Sequence, residues 1–99
     1  MAAVDKSVLE RWRQIDSCDV LIALAEYAKR DTTFIAVKDP RTTRWHATVA
    51  GRDVELLTTG PKFWDVQRGL GGGGAVDLAM HLFTLDFKAA TRLLVERGL

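Results

Sequence analysis

Apolar residues recur at helical spacing in the N-terminal third of the chain, which predicts two helices. The first runs from Val4 to Gln14, with Asp5 or Ser7 as its cap. The second is capped by Asp16 or Ser17 and continues until β-favouring residues at Thr32-Thr33-Phe34 end the pattern. The apolar positions on one face of this second helix are Val20, Leu21, Leu24 and Tyr27.

In the middle of the chain, short runs of β-branched and aromatic residues predict strands. Turn signals separate these runs at Asp39-Pro40, Ala50-Gly51-Arg52 and Gly60-Pro61, and the second of these turns predicts a hairpin. The predicted strands are Phe34–Val37, Arg44–Val49, Asp53–Thr58 and a last strand from Lys62 to Val66 or Gln67.

A run of glycines separates the last strand from a second helical region. Asp86 is placed to cap the final helix, and Gly98 is placed to end it in a left-handed conformation. Helices on both sides of a small antiparallel sheet of three or four strands predict a single α+β domain over residues 1–99. The helix that leaves the glycines has an apolar face of Val76, Ala79, Met80 and Phe83, widened by Leu78 and Leu82.

Composition agrees with one globular domain. The chain has 99 residues, of which 47% are hydrophobic and 27% are charged. No apolar run approaches the roughly 18 residues that span a bilayer, and the polar start lacks a signal-peptide core. The sequence therefore predicts a cytoplasmic protein with no membrane partner.

The residues that commonly carry catalysis or bind metal are few. Cys18 is the single cysteine, and with His46 and His81 it does not make up a set of four zinc ligands. Neither histidine is near Cys18 in the chain, and paired metal-binding carboxylates are missing. The sequence predicts no enzyme, no metal site and no cofactor.

The glycine run permits two interpretations. Free backbone N–H groups beside the positive end of a helix can bind an anion, or the glycines can simply form a tight turn. Gly69, Gly71 and Gly74 satisfy the dinucleotide pattern G-x-G-x-x-G, but no further strand follows before Leu99. The phosphate loop of nucleotide hydrolases fails too, since Ala75 follows the last glycine.

Two polar residues on the helix after the glycines have local interpretations. Asp77 in its first turn can stabilise the helix N-terminus, which works against an anion at the glycine run. For His81, a position on the helix surface without a role is favoured over a phosphate contact.

The charge of the chain is uneven. The formal net charge is only +1, but the segment from Lys29 to Arg68 contains eight basic and five acidic residues. Strand alternation places Arg44 and His46 on one face with Trp45 opposite, and Lys62 and Trp64 on one face with Phe63 opposite. Core packing is the alternative for each tryptophan, and one of Trp45 and Trp64 is expected to be exposed.

The segment KFWDVQRGLGGGGAVDLAMHLFTLDFKAATRLL resembles the end of the zinc-binding domain of bacterial DNA primases. The likeness lies in an aromatic strand, a glycine-rich segment, an Ala-Val-Asp helix start and a Phe-x-x-Ala second helix. IDSCDVLIALAEYAKRD resembles the helix that opens that domain. The resemblance implies a zinc-ribbon-like fold.

The chain departs from that family at the metal site. Val66 and Gly69 occupy the positions of a Cys-x-x-Cys pair, and Trp45-His46 lies near the position of the other pair. A closer likeness is to the metal-free N-terminal domains that precede Toprim domains in proteins of plasmids and other mobile elements. In such a domain, apolar packing around Val66 and Leu70 is expected to replace the metal.

The resemblance implies a DNA-binding accessory module of a primase-like replication protein, which holds single-stranded DNA for a separate catalytic domain. The alternative is a protein-interaction module that binds a Toprim primase or helicase domain, in cis or in trans. Aromatic residues beside basic ones are typical of single-strand binding. The predicted DNA-binding residues are Arg41, Arg44, Trp45, His46, Arg52, Lys62, Trp64, Arg68, Gly71, Gly72 and Gly73.

Overall fold

Residues 4–99, which the computed structural model describes, contain four helices and five strands. The helices precede and follow the sheet in the chain, so the predicted α+β class is confirmed. In chain order the elements are α1 (Lys6–Gln14), α2 (Ser17–Leu24), β1 (Tyr27–Arg30), β2 (Thr43–Val49), β3 (Arg52–Thr59), β4 (Lys62–Asp65), β5 (Leu70–Gly73), α3 (Ala75–Phe83) and α4 (Phe87–Glu96).

The five strands form one antiparallel sheet in the order β1-β2-β3-β4-β5. Residues that pair across neighbouring strands share a face of the sheet, and faces alternate along each strand. The inner face carries the buried residues Ala47, Val49, Leu56 and Phe63. We call the opposite side the outer face; its residues are Tyr27, Lys29, Arg44, His46, Thr48, Asp53, Glu55, Leu57, Thr59, Lys62, Trp64, Gly71 and Gly73.

All four helices contribute to one core with the inner face. Helices on both sides of the sheet were expected, but the buried apolar residues of the sheet all point to the same side. The outer face therefore has no helix over it within the described chain. The buried apolar residues of the helices are Trp12, Val20, Leu21, Leu24, Ala75, Leu78, Ala79, Leu82, Ala90 and Leu94.

Local capping signals are confirmed at several element ends. The Asp5 carboxylate accepts a hydrogen bond from the Val8 N–H at 3.0 Å, and the Asp86 carboxylate accepts one from Ala89 at 2.8 Å. Gly98 follows α4 with φ +77°, the left-handed conformation predicted for it. The β2–β3 hairpin forms around Ala50 and Gly51 as expected.

The second helix is shorter than predicted. It ends at Leu24, and the next residue, Ala25, is extended. The Glu26 N–H donates to the Thr48 carbonyl at 2.9 Å, which starts the pairing of β1 with β2. Arg97 of the C-terminal region donates to the carbonyls of Ala23 and Leu24 at the helix end. Tyr27 therefore belongs to a strand and is exposed, because tertiary partners override the helical spacing.

Two further expectations about strands are wrong, in opposite directions. Phe34–Val37, predicted as a strand, lies in the connection between β1 and β2 and pairs with no described strand. Leu70–Gly73, expected as a loop, is β5 and pairs with β4. The sheet thus has five strands rather than three or four. Among residues 4–99, no helix is long and apolar enough to cross a membrane.

Candidate nucleic-acid interface

Trp64 is the exposed tryptophan of the sheet. Its side chain lies on the outer face and is 48% exposed, whereas Phe63 before it is buried against the helices. Leu57 of β3 and Gly71 of β5 are its cross-strand neighbours. Gly71 carries no side chain, and the indole lies so close to it that a Cβ there would come within 3.0 Å of Trp64 Cε3. The ring is positioned to stack on a planar group such as a base.

Cations without close carboxylate partners lie beside Trp64 and in the turn after β4. Lys62 lies two residues before it on the same strand and the same face, and Lys38 lies beside it in the connection that precedes β2. Within the part of the chain that the structure describes, neither lysine has a carboxylate oxygen within 4.0 Å. Arg68, in the turn after β4, has a 48% exposed side chain and only a long 4.0 Å contact with Asp65. These three charges are available to an anionic ligand.

The half of the outer face nearer β1 is electrically balanced. Arg44 Nη2 lies 2.7 Å from Glu55 Oε1, and the hydrogen bond with Glu55 raises the pKa of Arg44. His46 contacts the same Glu55 oxygen at 3.4 Å and Asp31 Oδ2 at 3.6 Å. Hydrogen bonds from the Thr33 side chain and backbone lower the pKa of Asp31, which stays ionised. Arg44 and His46 reach the predicted face, but Glu55 and Asp31 are already their partners there.

Three other predicted site residues are directed elsewhere. Trp45 packs against the core from the inner face, and its Nε1–H donates to Thr43 Oγ1 at 2.9 Å. Arg52 donates to the Leu82 carbonyl near the end of α3. Arg41 pairs with Asp39 at 3.0 Å in the connection before β2. The structure does not bring these residues together with Trp64 on one face.

The predicted glycines are part of the sheet rather than a phosphate-binding loop. A Cβ at Gly71 would collide with the Phe63 carbonyl oxygen, and one at Gly72 would crowd the Phe63 ring at 3.2 Å. The Gly73 N–H donates to the Asp77 carboxylate at 3.3 Å, and the Gly74 N–H donates to the Pro61 carbonyl at 2.9 Å. An anion would have to displace Asp77, so the glycines serve close strand pairing instead.

The sequence interpretation of His81 is wrong. His81 Nε2 lies 2.7 Å from Asp65 Oδ2, and the histidine side chain is only 11% exposed. Its ring also packs on Phe63, with the ring centres 5.5 Å apart. The sequence signal that predicts a buried partner is the alternation of faces along β4, which places Asp65 on the inner face with Phe63. A carboxylate so placed requires a partner.

Asp65 also holds the turn that follows β4. Its Oδ1 accepts hydrogen bonds from the N–H groups of Gln67 and Arg68, each at 3.0 Å. Burial alone raises the pKa of Asp65, but the hydrogen bonds from His81 and from these N–H groups outweigh it and lower the pKa. The carboxylate is therefore ionised and joins β4, the turn and α3.

This arrangement corrects the expectation of apolar packing at the positions of the missing zinc ligands. Val66 is 39% exposed and Leu70 is 47% exposed, so neither holds the turn by burial. The Asp65–His81 pair does so by polar contacts. In residues 4–99, no group of three or more His, Cys, Asp or Glu side chains is arranged to bind a metal ion.

An apolar groove adjoins Trp64 on the outer face. It has a volume of about 460 Å³ and lies between the connection that precedes β2 and strands β3 and β4. Ile35 and Val37 on its margin are 82% and 94% exposed. The residues that line this groove are Phe34, Ile35, Ala36, Val37, Lys38, Asp39, Thr42, Leu57, Thr59, Lys62, Phe63 and Trp64.

Comparisons of the chain with protein-family models, with curated proteins and with solved structures find no match. The likeness to primase zinc-binding domains therefore stays a prediction from the sequence. The function of the outer face has to be argued from its own residues.

Proposed function

We propose that this protein is a DNA-binding accessory module that holds single-stranded DNA on its outer face for a separate catalytic domain. The observation that carries the proposal is the exposed Trp64 beside the free cation of Lys62. Single-strand binders combine aromatic side chains that stack on bases with basic groups that follow the phosphates. An open antiparallel sheet face is one of the recurring platforms for this mode of binding.

The arrangement favours binding without base preference. The groove around Trp64 is lined mainly by aliphatic and aromatic side chains, so it offers stacking and apolar contact rather than hydrogen bonds to base edges. Lys38, Lys62 and Arg68 supply three cations for phosphates. So few charges predict modest affinity that depends on salt.

The test is a fluorescence-anisotropy titration of labelled single-stranded and duplex DNA at low salt. Trp64→Ala is expected to weaken single-strand binding roughly tenfold, since one stacked base contributes about 1–3 kcal/mol. Trp64→Phe should retain most of the affinity, because a phenyl ring still stacks. Phe87→Ala is the matched control, because Phe87 is an aromatic residue of α4 with a similar exposure of 54%.

Two results would contradict the proposal. One is the absence of single-strand binding by the unchanged protein even at low salt. The other is an equal loss of affinity in the Trp64→Ala and Phe87→Ala variants, which would show that binding does not depend on the outer face.

A second function, protein interaction, is favoured by the groove itself. Ile35 and Val37 expose apolar side chains that a nucleic acid does not require. On this proposal the module binds a Toprim primase or helicase domain, in cis or in trans. The association with replication, plasmids or mobile elements, like the cytoplasmic location, rests on the sequence alone.

A further inference from the structure

The segment Phe34–Val37 has the composition of a strand, but no strand of the described chain lies beside it. The backbone N–H and C=O groups of Ile35, Ala36 and Val37 make no hydrogen bond with any other residue in the range 4–99. Backbone polar groups are strong donors and acceptors, and in an exposed segment they are free to exchange water for an incoming chain. Such a row of open groups is a template for another strand.

Exposure alternates along this segment with a period of two. Phe34 and Ala36 are half-buried, whereas Ile35 and Val37 are 82% and 94% exposed. Two β-branched side chains so fully in water, separated by one residue, form an apolar strip that residues 4–99 do not cover. The alternation is that of a strand with one face on the protein and the other face unoccupied.

The margin of the groove is positively charged. Lys38 follows the segment directly, and Lys62 lines the groove from β4. Asp39 is the acidic residue of the lining, and its charge is compensated by Arg41 at 3.0 Å. An incoming chain with carboxylates beside its apolar residues would complement this margin.

We infer that Phe34–Val37 is a docking strand for an extended segment of a partner protein, whose apolar side chains enter the groove and whose flanking Asp or Glu residues meet Lys38 and Lys62. Main-chain hydrogen bonds supply affinity in this mode, and side-chain pockets supply specificity. A second copy of this chain fits less well, since it would bring its own Lys38 to the same margin. The inference rests on the second function and does not depend on single-strand binding.

The test uses a phage-displayed library of random dodecapeptides selected on the whole protein. Selected peptides are expected to carry an apolar, β-branched centre flanked by acidic residues. In fluorescence anisotropy, the double substitution Ile35→Thr/Val37→Thr should weaken the best synthetic peptide at least about tenfold, since it removes the exposed apolar strip. Lys38→Glu/Lys62→Glu should have a similar effect through charge.

Hydrogen exchange reports the strand pairing directly. The amide protons of Ile35, Ala36 and Val37 should exchange more slowly when the peptide is bound. Val95→Thr is the matched control, because Val95 is an exposed valine on α4. The Ile35→Thr/Val37→Thr variant keeps β-favouring residues on the surface, so its near-ultraviolet circular dichroism should match that of the unchanged protein.

Several outcomes would overturn the inference. They are a selection without enriched peptides, enriched peptides without acidic flanks, and peptide binding that leaves the three amides unprotected.

Sedimentation showing a dimer that the double threonine variant loses would assign the strip to a second copy. A loss of single-strand affinity in that variant equal to the loss in Trp64→Ala would assign it to DNA. Unchanged single-strand affinity beside lost peptide affinity supports the inference and leaves the proposed DNA function to its own test.

Discussion

At the scale of single residues, the Asp65–His81 pair links two elements through buried polar atoms. It joins the end of β4 to the middle of α3, in a position that is almost closed to water. A buried carboxylate is costly unless charged or polar donors satisfy it, and Asp65 has three such donors. Loss of any of them leaves an uncompensated group.

Stability should fall at acidic pH because of Asp65. The folded state lowers the pKa of this carboxyl below its ordinary value of 3.8. Its contribution is therefore complete above about pH 5 and is lost as pH falls through the ordinary value toward the folded pKa. Urea unfolding at a series of pH values from about 6 to 2 measures it. Asp65→Asn should flatten this dependence; an unchanged slope would contradict the assignment.

His81→Ala should destabilise the protein by about 3 kcal/mol, because it leaves Asp65 buried without its closest partner. The free energy of unfolding from urea titration is the measurement. His46→Ala is the matched control, because the His46 side chain is 51% exposed, and its effect should stay within about 0.5 kcal/mol. Equal effects of the two substitutions would argue against a structural role for the buried pair.

At the scale of elements, two segments adopt the opposite of what their compositions predict. The glycine-rich β5 is a strand, and Phe34–Val37 is not. Glycines are poor strand formers, yet Gly71 and Gly72 permit the backbone of β5 to approach Phe63 where a side chain would not fit. Phe34–Val37 has better strand residues but no available partner within the described chain. Strand formation here follows the availability of a neighbouring edge, which propensity does not report.

Gly71→Ala should disrupt β5, since the new Cβ would meet the backbone carbonyl of Phe63. We expect a loss of about 2–3 kcal/mol in the free energy of unfolding, measured by urea titration. Gly73→Ala is the control in the same strand, because its Cβ would meet nothing closer than Lys62 Cγ at 3.9 Å. Its effect should remain below about 1 kcal/mol. A Gly71 variant as stable as the Gly73 variant would contradict the close pairing.

At the scale of the whole molecule, the one-sided placement of the helices leaves a sheet face for binding. The charges on that face divide into a balanced half, around Arg44 and Glu55, and a half with free cations around Trp64. The net charge of +1 conceals this division. Ligand binding is therefore expected on the β3–β5 side of the outer face.

The salt dependence of single-strand binding should reflect three phosphate contacts. With Lys38, Lys62 and Arg68 engaged, the slope of log K against log salt concentration should be about −2, since each contact contributes roughly −0.7. Lys62→Gln should reduce it to about −1.4, whereas Lys88→Gln on α4 should not change it. Anisotropy titrations at several salt concentrations measure the slope. A slope near zero would rule out phosphate contacts by these cations.

The sequence by itself determined the features that depend on near neighbours: the α+β class, a cap at Asp86 and one at Asp5 or Ser7, the β2–β3 hairpin and the exposure of one of two strand tryptophans. Periodicity and capping are local, so they can be read along the chain. Only the tertiary structure decided the end of α2 at Leu24, the pairing of β5 and the Asp65–His81 contact. The end of α2 and the Asp65–His81 contact require partners distant in sequence, and packing of the whole domain chooses among such partners. The pairing of β5 with the adjacent β4 depends instead on the close approach of its glycines to Phe63, which strand propensity does not report.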